Sequence, residues 1–119
     1  MADETPIDWI GSSKKDLMNF PSEVKSEIGQ ALGVAQLGGK HPKAKPLKGF
    51  GSGVLEIVDD FDGDTYRAVY TVRFSDVIYV LHCFQKKSPK GIKTAKPDVA
   101  LMKARLKVAQ GEHAKRTKA

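Results

Sequence analysis

Cysteine is almost missing from this chain. The single Cys83 cannot form an intramolecular disulfide, and one thiol cannot build a zinc site. Histidine is sparse too: His41, His82 and His113 lie far apart and show no metal-ligand spacing, so no metal is expected. No apolar run approaches the roughly 18 residues a membrane-crossing helix needs. The start, "MADETPIDWIG", is acidic and has no apolar segment of the kind a signal peptide carries. Together these shortages predict a protein of the reducing cytoplasm with no membrane partner. At 119 residues the chain suits one domain, 1–119, with a single core, and it shows no internal repeat.

What the chain has in excess is positive charge, unevenly placed. Residues 1–85 hold 9 Lys/Arg against 12 Asp/Glu, whereas residues 86–119 hold 11 Lys/Arg against only Asp98 and Glu112. A basic C-terminal third on an acidic body points to a polyanion partner, of which nucleic acid is the commonest. A solvated basic tail is the plainer reading of such a run.

Patterning predicts helix, helix, strand, strand, strand, helix. Ser12 or Ser13 suits an N-cap, with Asp16 in capping-box position after Ser13. A second helix starts near Pro21, since Val24, Ile28, Ala31, Leu32 and Ala35 recur at helical spacing, and Gly38-Gly39 ends it. "KHPKAKPLKGFGSG" reads as a loop. Strands are expected over Val54–Phe61, Thr65–Phe74 and Val77–Lys86, joined by a tight Asp62-Gly63 hairpin and a turn at Ser75-Asp76. A short N-terminal piece, Ile7 to Ile10, could add a fourth strand. Pro97 suits the first turn of a last helix striped by Val99, Met102, Leu106 and Ala109, and residues 111–119 read as a flexible basic tail. The fold class is α+β: an antiparallel meander with helices on one face.

Two-residue turns at both hairpins set Arg67 opposite Phe84, Val69 opposite His82, Arg73 opposite Ile78 and Glu56 opposite Val69. Leu55, Ile57, Tyr66, Ala68, Tyr70, Val72, Phe74, Val77, Tyr79, Leu81 and Cys83 then form a helix-covered face. Glu56, Arg67, Thr71, Arg73, His82 and Lys86 gather on the other side. That set suits RNA cleavage. Attack of a ribose 2′-hydroxyl on the adjacent phosphate needs a base, cations for the growing charge, and an acid for the leaving oxygen. Arg67 can clamp a phosphate, Lys86 and Lys87 add point charge, His82 can transfer a proton, and Glu56 can accept one or pair with His82. Phe84 and Tyr79 offer rings to stack on bases, while Lys90 and Lys93 extend the basic surface. Each residue type also has an ordinary structural use: arginines pair on strands, a half-buried histidine hydrogen-bonds, and aromatic rings fill cores.

The pieces "PLKG", "GVLEI", "YRAVY" and "LHCFQKKS", followed by a helix with "ALMKAR", resemble the RelE/HigB toxin superfamily, in particular its phage-derived HigB-like branch. The resemblance spans Pro46 to about Arg105. It implies a compact microbial-ribonuclease-like fold and the toxin of a type II toxin–antitoxin pair. Such toxins cleave mRNA, usually on the translating ribosome, without metal or organic cofactor, and are held by a small helix-turn-helix antitoxin. By the same resemblance Arg67 matches a phosphate-contacting arginine, Lys86 or Lys87 the basic residue near the scissile phosphate, and Lys48 a basic segment before the sheet. Val54, Glu56 and Val58 stand where some relatives carry lysines, and no tyrosine follows Tyr79 to match the one some relatives carry near the last helix. A module that binds RNA or another polyanion without cleaving it is the alternative on the same fold.

Overall fold

A computed structural model of the chain describes residues 4–86 and 95–118. The elements run β1 (Ile7–Trp9), α1 (Ser13–Met18), α2 (Ser22–Gln36), β2 (Ala44–Pro46), β3 (Val54–Phe61), β4 (Asp64–Thr71), β5 (Ile78–Lys86) and α3 (Lys96–Lys118). The α+β class is as expected, but the sheet is larger and mixed. Its five strands lie in the order β1-β5-β4-β3-β2, with β1 parallel to β5 and the other pairs antiparallel. β2 falls inside the stretch expected to be loop. It has only three residues, two of them proline-flanked lysine or proline itself, so it carries no alternation that sequence patterning could detect.

The helix α2 follows its pattern. Val24, Ile28, Ala31, Leu32 and Ala35 are all buried. Its end is a Schellman motif: Gly38 takes φ +87°, its N–H donates to Ala35 O at 3.0 Å, and the Gly39 N–H donates to Val34 O at 2.9 Å. The start of α1 differs from the expected capping box. Ser12 is the N-cap, its hydroxyl donating to Asp16 Oδ2 at 2.8 Å, while Ser13 is buried and donates to Val80 O at 3.1 Å.

The first hairpin is as read, with Asp62 and Gly63 both at positive φ (52° and 83°) as a type I′ turn requires. The second is not a tight hairpin. The expected pairs Arg67–Phe84 and Val69–His82 form, but a bulge follows, and Tyr70 pairs with Val80 instead of Leu81. The Tyr79 N–H then donates to the Thr71 hydroxyl at 3.2 Å, and β4 ends at Thr71. Arg73 is consequently not opposite Ile78. Its Nη2 donates to Phe50 O at 2.8 Å and its Nε to Ser52 O at 3.0 Å, drawing the chain toward the β2–β3 loop.

The bulge corrects the predicted faces. On one side Leu55, Ile57, Tyr66, Ala68, Tyr70, Ile78, Val80 and Cys83 pack under α1 and α2. On the other Val54, Val69, Val77, Tyr79, Leu81 and Phe84 pack under Met102, Leu106 and Ala109 of α3. Helices therefore cover both faces, and α3 lies on the side expected to be open and ionisable. That helix continues past residue 111. It runs to Lys118, with the His113 ring 4.3 Å from Phe74 and Arg116 Nη2 2.6 Å from Asp8 Oδ2.

Candidate functional site

The α3 side of β3, β4 and β5 forms a grid. Rows across the strands read Glu56–Val69–His82 and Val58–Arg67–Phe84, with Thr65 opposite Lys86 one step further out. Side chains two apart on a strand share a face, so Glu56, Arg67, His82, Phe84 and Lys86 come together as the alternation demands. α3 covers the apolar end of the grid through Met102 and Leu106. Its first turn, carrying Asp98, reaches His82.

Glu56 is buried, and its Oε1 lies 2.9 Å from Arg67 Nη1 and 3.8 Å from Lys45 Nζ. The ion pair holds the guanidinium against the sheet, while Glu56 Oε2 and Arg67 Nε have no hydrogen-bond partner among the described residues. Buried charged atoms are seldom left so in a finished core. Lys86 sits next to this pair. Burial pushes its ammonium below the usual lysine range, and the Arg67 cation adds to the effect, with Glu56 and Asp98 opposing it.

His82 is 6% exposed and its ring stacks on Phe84 with centroids 4.6 Å apart and planes 14° from parallel. Both ring nitrogens have neighbours: Nε2 lies 2.8 Å from Asp98 Oδ1, and Nδ1 lies 3.4 Å from Arg105 Nη1. Phe84 is buried with one ring face against His82, and Tyr79 is wholly in the core, so neither is an open stacking platform. Lys48 lines a cavity of about 240 Å³ with Leu47, Phe50, Val99, Met102 and Lys103, which includes neither Arg67 nor His82. Arg73 holds loop carbonyls, as described. Lys87, Lys90 and Lys93 lie outside the described residues. Burial pushes the Cys83 thiol up to about 12, which leaves it protonated and inert. Among the described residues no group of His, Cys, Asp or Glu could hold a metal ion.

Sequence reading thus located Glu56, Arg67, His82 and Lys86 on one face and missed Asp98 and Arg105. Both missed residues belong to α3, which was expected over the opposite face. Their i, i+7 spacing, two turns of one helix stripe, was the available signal.

Residues 15–107 match the family model described as phage derived protein Gp49-like (DUF891). The chain belongs to this family. Its phage-derived character agrees with the branch that the sequence motifs resemble, without singling out RelE or HigB. No curated protein matches the chain. The matched span of the Gp49-like chain includes Glu56, Arg67, His82, Lys86, Asp98 and Arg105. No helix among the described residues is long and apolar enough to cross a membrane.

Proposed function

We propose that this Gp49-like protein is the toxin of a type II toxin–antitoxin pair and an endoribonuclease of the RelE/HigB kind acting on ribosome-bound mRNA. The observation that carries the reading is the Arg67–Lys86 pair. The two are diagonal neighbours on adjacent strands, a spacing of about 7–8 Å, and share one face. Burial is the main cause of the lowered Lys86, and the Arg67 cation beside it adds to the effect. A phosphodiester answers both charges. Arg67, fixed by Glu56, offers planar donors to the phosphate oxygens, and Lys86 adds a point charge for the negative charge that develops on phosphorus. The positive excess after residue 85 supplies further contacts to RNA. A small helix-turn-helix antitoxin is the partner this reading carries with it.

The test is induced expression in a bacterium, following growth and mapping mRNA 5′ ends, beside Arg67→Lys and Lys86→Ala/Lys87→Ala variants. Growth arrest with new mRNA ends, lost in the folded lysine variant, is the expected outcome. Normal growth and intact mRNA at good expression, on translating ribosomes of a suitable host, sink the nuclease. They leave the second reading, a polyanion-binding module. The bonds at both nitrogens of His82 favour that second reading, because they occupy the expected proton carrier.

A further inference from the structure

The Asp98–His82–Arg105 chain is the least ordinary feature of the α3 face. Arg105 Nη1 donates to Leu81 O at 2.9 Å, the carbonyl at the bulge, and lies 3.4 Å from His82 Nδ1, while its Nη2 donates to Ser12 Oγ at 3.1 Å. Gly11 (φ +58°) packs against the same guanidinium, and a Cβ there would come within 2.9 Å of Nε. Arg105 is thus held by β5, by the turn before α1 and by its own helix. A guanidinium nitrogen can only donate, so His82 Nδ1 faces it with its lone pair. The imidazole proton is then on Nε2, where it donates to Asp98 Oδ1 at 2.8 Å. A second proton on Nδ1 would set donor against donor. This geometry suits a histidine that orients a carboxylate, and opposes one that shuttles protons.

Two carboxylates then compete for the role of base. The Glu56 side chain is 5% exposed and tied to Arg67, whereas the Asp98 side chain is 33% exposed and, among the described residues, held by His82 at Oδ1. A base must touch the hydroxyl it deprotonates. Both carboxylates belong to the same face: Glu56 contacts Arg67 at 2.9 Å, and Asp98 contacts, at 2.8 Å, His82, the diagonal neighbour of Arg67 across the strands.

We propose that Asp98 is the proton acceptor of the site, with His82 and Arg105 as positioning residues that fix its carboxylate on the face that carries Arg67 and Lys86. The inference rests on the nuclease reading. Asp98 Oδ2 takes the proton of the ribose 2′-hydroxyl, and the 2′-oxygen forms a bond to phosphorus. The bond from phosphorus to the 5′-oxygen breaks, its electron pair staying on that oxygen, which takes a proton from the Lys86 ammonium. The products are a 2′,3′-cyclic phosphate and a 5′-hydroxyl end, and the proton on Asp98 returns to Lys86 through solvent.

The experiment uses the full chain with ribosomes translating a defined mRNA, measuring single-turnover cleavage at saturating protein. Asp98→Asn keeps the acceptor for His82 and should slow cleavage about 100-fold or more. His82→Gln keeps an amide donor near Nε2 and should stay within about tenfold of wild type, whereas His82→Ala should fall with Asp98→Asn. Long-range ¹⁵N–¹H spectra of the imidazole should show the proton on Nε2 and none on Nδ1. Full activity in Asp98→Asn, equal loss in His82→Gln and His82→Ala, or a proton on Nδ1 would each overturn the assignment. Absence of cleavage by the wild type would instead overturn the nuclease reading, and the base with it.

Discussion

Removing either member of the Glu56–Arg67 pair should have unequal consequences. Arg67→Ala leaves a buried carboxylate without its closest cation and should cost about 3 kcal/mol of stability. Glu56→Gln leaves a cation whose side chain is 17% exposed and so partly answered by water, and should cost about 1 kcal/mol. Urea denaturation of both variants checks this, and equal losses would mean that the pair is effectively solvated. For that reason Arg67→Lys, which keeps the charge, is the cleaner functional probe. Lys86 makes a pH prediction. Its ammonium is held below the usual lysine range, so it loses its charge at a lower pH than an ordinary lysine. Affinity for a short RNA should therefore fall as pH rises through that lowered value. In Lys86→Arg, which stays charged, the fall should be absent. Fluorescence anisotropy between neutral pH and about pH 10 reads the difference, and identical curves would show that Lys86 does not contact the RNA.

At the scale of the elements, the end of β4 decides the shape of the site. A two-residue turn at Ser75-Asp76 would have run the ladder on to Phe74, and Leu81 would have joined the α2 side. The bulge instead places Leu81 and His82 together on the α3 side and turns the Leu81 carbonyl to Arg105. Thr71 supports it by accepting the Tyr79 N–H through its hydroxyl at 3.2 Å. Thr71→Val keeps the shape and removes the acceptor, so a buried amide is orphaned; the expected loss is about 1–3 kcal/mol. A thermal melt gives the loss, and amide exchange at Tyr79 should speed up beyond the global change. Unchanged protection there would assign the bulge to packing alone. The glycines of the β2–β3 loop serve the same end: a Cβ at Gly53 (φ +77°) would meet the Arg73 backbone at 2.9 Å.

For the whole molecule, α3 is the second cover of the sheet. Its last turns tie the β1 edge and the turn before β5 to the body, through Arg116 to Asp8 and His113 to Phe74 and Asp76. Deleting residues 111–119 should therefore lower the melting temperature by several degrees, as a loss of about 1–2 kcal/mol in a domain of this size does. An unchanged melting temperature would favour the reading of a free basic tail.

Sequence alone determined what local spacing and turn chemistry control. The α2 stripe, its glycine stop, the Asp62-Gly63 hairpin, the proline-started last helix and the pairs Arg67–Phe84 and Val69–His82 all depend on residues near one another in the chain. Tertiary structure decided the rest, because it depends on residues far apart. β1 and β2 are too short for a pattern and exist only as edges laid on β5 and β3. The bulge goes with contacts between distant residues: Arg73 reaches back to Phe50 and Ser52, and the Thr71 hydroxyl takes the place of a ladder acceptor. Which face α3 covers follows from its fit over Leu81, Tyr79 and Val69. That choice alone brought Asp98 and Arg105 to His82, since a helix stripe states how wide its apolar face is but not which surface that face will meet.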